Sequence, residues 1–185
     1  MADLTPFQTV GPYFAIAMPA PGIWRLAGPV VAGERIRLEG RVLDGAGQPV
    51  PDALIETWQA DAEGRYPDSE SAGPDRGDGF VGFGRVPTDE AGGFALETVR
   101  PGPVPGPLGA LQAPHLLVSV LARGILTRLV TRIYFEDEPT NATDPVLRLV
   151  PAPRRATLLA RRSPDGPFRI DLVLQGPNET VFFDV

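Results

Sequence analysis

Apolar and polar residues alternate along much of this chain with the period of two that marks a half-buried strand. The clearest early case is Arg35–Leu43, where Ile36, Leu38 and Val42 fall on one face and Arg35, Arg37, Glu39 and Arg41 on the other. Residues 168–174 repeat the pattern, with Phe168, Ile170, Leu172 and Leu174 inward and Arg169 and Asp171 outward. Residues 127–135 alternate as well, placing Leu129, Ile133 and Phe135 inward against Arg128 and Arg132. Residues 53–59, 80–86 and Gly93–Val99 are shorter strand candidates, the last two split by the turn Thr88-Asp89-Glu90-Ala91-Gly92. Residues 116–122 are almost continuously apolar, which predicts a central strand covered on both faces.

Between these strands the chain is punctuated by 21 Gly and 22 Pro, a composition suited to short strands and turns. Residues 100–113, with several Pro and Gly, read as a loop. Residues 142–162 have room for a short helix around 156–162, because Pro145, Pro151 and Pro153 forbid a longer one. Residues 1–33 lack periodicity and carry Phe7, Tyr13, Phe14, Ile16, Met18, Ile23 and Trp24. Such an apolar arm is expected to lie on its own sandwich or on a neighbouring chain. The expectation is an all-β protein: a two-sheet β-sandwich over residues 34–185, an extended N-terminal arm over 1–33, and at most short helices.

Composition narrows the chemistry. With 43% hydrophobic and 22% charged residues the chain reads as a soluble globular domain, and recurring apolar runs argue against disorder. A formal net charge of −6 removes the basic surface that nucleic acid or an anionic membrane would need. The first residues have no basic stretch and are interrupted by Pro6, Pro12 and Pro19, so no signal peptide is expected and the predicted compartment is the cytoplasm. All 17 basic residues are Arg, each a planar fork that can grip a carboxylate. There is no Cys and one His, His115. Thiolate catalysis and Cys-ligated metal are thereby excluded, and a self-contained transition-metal site would need carboxylate or phenolate ligands. A Ser–His–acid triad would have to use His115, and no G-x-S-x-G elbow accompanies it. The acidic runs Asp89-Glu90 and Glu136-Asp137-Glu138 sit in turns and read as solvated charge. The pattern by itself goes no further than a soluble β-sandwich.

A set of short segments, in order along the chain, adds to that reading. They are Gln8-Thr9-Val10-Gly11-Pro12-Tyr13, Gly40-Arg41-Val42-Leu43-Asp44-Gly45, Glu56-Thr57-Trp58-Gln59-Ala60-Asp61 with Gly64-Arg65-Tyr66, and Thr98-Val99-Arg100-Pro101-Gly102. Ala113-Pro114-His115, Ala122-Arg123-Gly124-Ile125, Thr131-Arg132-Ile133-Tyr134-Phe135 and Glu179-Thr180-Val181-Phe182-Phe183-Asp184 complete the set. Together they resemble the intradiol ring-cleavage dioxygenases, and within them the iron-free α type of the two-chain, protocatechuate-cleaving branch. The family's iron-bearing chains hold ferric iron, Fe(3+), with two Tyr and two His. By that resemblance Tyr66 fills the first ligand position and His115 the third. Val104 stands at the second, in Pro101-Gly102-Pro103-Val104, and Leu117 at the fourth. Neither aliphatic side chain has a lone pair, and burial beside a trivalent ion would leave its charge uncompensated. The chain is therefore expected to bind no catalytic iron, with Tyr66 and His115 as remnants that serve packing or hydrogen bonding.

The resemblance implies that the iron sits on a homologous β subunit within a higher α/β oligomer. There O2-dependent intradiol cleavage would turn protocatechuate into 3-carboxy-cis,cis-muconate, within the β-ketoadipate route. It also implies a substrate-pocket role for Thr9, Gly11, Pro12 and Tyr13 of the arm, and for Arg123 as a cation facing the substrate carboxylate. Two other readings stand beside it. One is a stand-alone β-sandwich ligand-binding module without catalysis. The other is a complete catechol-type enzyme, which the missing ligands disfavour.

Overall fold

A computed structural model describes residues 8–11, 22–67, 79–164 and 166–184. Pro12 and Tyr13 of the predicted pocket lie outside the described residues. Among the described residues ten strands follow in chain order: β1 (Arg35–Leu43), β2 (Leu54–Trp58), β3 (Phe83–Pro87), β4 (Gly93–Val99), β5 (Val104–Pro105), β6 (Leu111–Gln112), β7 (His115–Leu121), β8 (Leu129–Phe135), β9 (Leu159–Arg162) and β10 (Phe168–Val173). Eight of them are hydrogen-bonded in the order β3-β2-β7-β8-β9-β10-β1-β4. β8 and β9 meet in parallel through only two pairs, Tyr134 with Leu159 and Phe135 with Ala160. That short seam folds the sheet into two halves that face one another as a sandwich.

The inward faces are the ones the alternation marked. Leu38, Ile55, Leu96, Leu116, Val118, Ile133, Phe135, Phe168 and Leu172 are essentially inaccessible and form one cluster. Phe135 and Phe168 meet edge to face across the seam, with ring centroids 4.9 Å apart. Arg100 covers that pair: its guanidinium lies 4.8 Å from the Phe135 ring centre and is forked onto Asp137 at 2.9 and 3.1 Å. The acidic run read as solvated charge is thus partly a clamp for Arg100.

The open edges of the two halves are β3 and β4, and the chain closes them with its own early residues. Ile23 exchanges backbone hydrogen bonds with Arg85 of β3, and Trp24 and Leu26 do so with Glu97 of β4. Leu26, Ala27 and Val31 are buried in consequence. Residues 22–33, read as arm from sequence, therefore run within the sandwich, and pairing on both sides removes two aggregation-prone edges.

Other departures have local causes. Residues 100–113 are not a plain loop, because β5 and β6 pair through Val104 with Gln112 and Pro105 with Leu111. The expected helix at 156–162 is a 3-10 turn, Ala152–Leu158, that gives way to strand β9. Two flanking strands pull that segment into extended form despite its polar residues. β7 is central, as predicted, but covered on one face only: Leu117 is 37% exposed. Among the described residues, no helix is long and apolar enough to cross a membrane.

Candidate functional site

The sequence-predicted ligand positions sit along one outer rim of the β2-β7-β8 half-sheet. Two tight turns bring them there. Asp61, almost fully buried, accepts hydrogen bonds from the backbone N–H groups of Glu63 and Arg65, both at 2.9 Å, and so shapes the turn that carries Tyr66. Gly64 at its tip has φ +78°, and a Cβ there would come within 2.1 Å of the Pro103 carbonyl oxygen. Only glycine lets the two loops approach so closely. The Gly102 N–H donates to the Asp61 carbonyl at 2.8 Å, docking the Pro-Gly turn that leads into Val104.

Tyr66 stacks on Trp58 of β2, ring centres 5.9 Å apart and planes 4° from parallel. Burial pushes its phenol pKa above the ordinary value, while the nearby Arg132 charge pulls it down. Val104 is buried in β5. His115 opens β7 and is 6% exposed. Its Nδ1 lies 2.7 Å from the Ala113 carbonyl, which can only accept, so Nδ1 carries the proton and Nε2 the lone pair. Burial, then the charge of Arg132, lowers the imidazole pKa to about 4, leaving the ring neutral at pH 7.

Across from β7, Arg132 is the register partner of Leu117 and Tyr134 that of His115. The Tyr134 ring lies 5.5 Å from the imidazole, and burial raises its phenol pKa. Asp144, fully buried, ties this group together. It accepts from the Ala113 N–H at 2.7 Å, from Val146 and Leu147 N–H at 2.9 and 2.6 Å, and from the Tyr134 hydroxyl at 3.1 Å. Asp144, Tyr134 and Arg132 were not singled out as site residues from sequence. The local signals were the resembling segment Thr131-Arg132-Ile133-Tyr134-Phe135 and Asp144-Pro145 at the head of a turn, where an Asp commonly caps backbone N–H groups.

Ferric iron does not fit this constellation. A phenol and one imidazole are the only donors at the four positions, and two aliphatic side chains take the other places. Among the described residues, no group of three or more His, Asp or Glu is placed to hold a metal.

The second predicted group lies elsewhere. The Gly124 N–H donates to Thr9 Oγ1 at 2.7 Å, so Thr9 rests on the loop after β7. Arg123, beside it, forms an ion pair with Asp52 and is more than half exposed. Thr9 and Gly11 are exposed. β7 has seven residues from His115 to Leu121. At roughly 3.3 Å per residue, its two ends stand roughly 20 Å apart. The structure thus brings Thr9 and Arg123 together at one end of the strand, and Tyr66, Val104, His115 and Leu117 belong to the other.

Comparison with known proteins bears on the family and the fold. A family model described as "Dioxygenase" matches residues 11–175. The protocatechuate 3,4-dioxygenase alpha chain of Burkholderia cepacia is 47% identical, over 98% of this chain and 97% of that one. The beta chain of the same enzyme is 37% identical, over 80% of this chain and 67% of that one. Among solved structures, the dioxygenase domain of a dioxygenase–carbohydrate-binding fusion from Streptomyces sp. SirexAA-E aligns with a TM-score of 0.64 at 32% identity, covering 94% of this chain and 99% of that chain. With this span of similarity and the same sandwich, the chain belongs to the intradiol ring-cleavage dioxygenase family.

Proposed function

We propose that this chain is the iron-free subunit of a two-chain protocatechuate 3,4-dioxygenase, and that it completes a substrate pocket whose iron is held by a homologous β-type partner. One observation carries the reading: two of the four ligand positions hold Val104 and Leu117, in a fold otherwise kept throughout. Similarity to both an alpha and a beta chain supports a partner of the same fold. Loss of metal ligands in a conserved scaffold leaves pocket-building as the remaining role.

In this reading Thr9, Gly11, Pro12, Tyr13 and Arg123 form the contribution to the partner's site. Of these, Thr9 and Arg123 lie at the end of β7 remote from this chain's own proposed ligand positions, where a second subunit would meet them. The partner's iron supplies the reactivity toward O2. This chain orients the substrate, excludes water and adds positive charge near a carboxylate. Arg123, itself more than half exposed, would exchange its Asp52 partner for the substrate, a small loss because pairs open to solvent on one side contribute little.

Co-expression with a homologous chain that keeps both Tyr and the His-x-His pair tests the proposal. The expected result is a co-purifying coloured complex that consumes O2 with protocatechuate, while this chain alone consumes none. Full activity of the partner without this chain would overturn it.

A further inference from the structure

We infer that the Arg132 guanidinium is an internal cation standing in the former metal pocket, and that it bars a metal ion from this chain independently of the two missing ligands. The inference rests on the assignment of Tyr66, Val104, His115 and Leu117 to the ligand positions. It adds a third determinant, on a different strand, that no ligand count would reveal.

The geometry comes from the β7–β8 register. Arg132 is paired with Leu117, the fourth ligand position, and shares its strand face with Tyr134, whose ring abuts His115. Its side chain is held there: Nη1 donates to Gln112 Oε1 at 2.7 Å and lies 3.3 Å from the Tyr134 hydroxyl. Gln112 belongs to β6, the strand paired with Val104, so the guanidinium is tethered beside the second ligand position as well. Both acceptors are neutral. Among the described residues, no carboxylate forms an ion pair with Arg132, and Asp144 already accepts three backbone N–H groups.

A guanidinium stays protonated at every working pH. A metal ion entering this rim would meet a fixed like charge at short range. Restoring the two missing donors would accordingly not restore the metal while Arg132 remains.

The test compares full-length variants, each checked for cooperative thermal unfolding. Val104→Tyr with Leu117→His should retain no iron after reconstitution, by metal analysis and by the absence of a visible tyrosinate-to-iron band. Adding Arg132→Gln, which keeps an amide donor for Gln112, should give one iron per chain and the band. Val104 is buried, so the tyrosine puts folding at risk. The same comparison is therefore made on Leu117→His alone, with zinc ion as the probe. Titration calorimetry should show about tenfold or tighter zinc binding once Arg132→Gln is added, the effect of removing one like charge at partly buried range. Equal zinc affinity with and without Arg132, or stoichiometric iron while Arg132 remains, would overturn the inference and leave the proposed function intact. Zinc bound by the charge-free variant no better than by the wild-type chain would instead sink the assignment of ligand positions.

Discussion

Arg132 of β8 stands directly across from Leu117 of β7, so a position proposed to have lost a metal-ligand side chain faces a fixed positive charge. Arg132, Gln112, Tyr134 and Asp144 form a polar network along this rim. The network has identifiable strengths and weaknesses, and each can be measured.

His115 should resist protonation. Its folded pKa of about 4 lies below the ordinary value of 6.5, so the unfolded chain binds more protons between those limits. Stability from this group is complete above pH 6.5 and is lost as pH falls toward 4. A shift of that size corresponds to ~3 kcal/mol. Urea unfolding of wild type and His115→Gln at pH 7 and pH 4.5 should show the variant losing less stability on acidification. NMR should show the imidazole still neutral near pH 5.

Asp144→Ala removes a buried acceptor that serves three backbone N–H groups and the Tyr134 hydroxyl. Leaving buried donors unpaired costs about 1–3 kcal/mol each, without full additivity. The variant should lose at least ~3 kcal/mol in denaturant unfolding. A loss near zero would show that the rim relaxes around the gap.

Gly64→Ala should be costly for a different reason. The methyl group would collide with the Pro103 carbonyl in a backbone conformation that favours glycine. Strain of this kind amounts to ~2–3 kcal/mol, and it should separate the turns carrying Tyr66 and Val104. A fall in melting temperature together with altered Tyr and Trp fluorescence would report both effects.

Arg123→Ala in the assembled enzyme should raise KM for protocatechuate about tenfold with a smaller effect on kcat, the signature of lost ground-state binding. Asp52→Ala, which removes only the partner seen within this chain, should leave kinetics near wild type and change stability by less than ~1 kcal/mol. Unchanged kinetics in Arg123→Ala would confine that residue to its surface ion pair.

What was legible in the sequence follows from how local each cause is. The alternation in Arg35–Leu43 and Gly93–Val99 is local, and both strands match their observed ends. β9 lies in a stretch whose sequence left room for a short helix; its extended form is imposed by β8 on one side and β10 on the other. β5 and β6 were hidden by the prolines that surround them. Trp24 and Leu26 looked like arm residues because their partner, Glu97, lies far along the chain. At the rim, the four ligand positions could be named from segment resemblance. Arg132 could not be assigned to the rim, because its pairing with Leu117 depends on a cross-strand register that no short segment encodes.

The central claim is that this chain holds no ferric centre of its own. It is tested most directly by metal analysis of the purified full-length chain after reconstitution with iron, followed by exhaustive desalting. No retained iron and no visible absorption band are expected. One iron per chain, with the band and O2 uptake on protocatechuate, would contradict it.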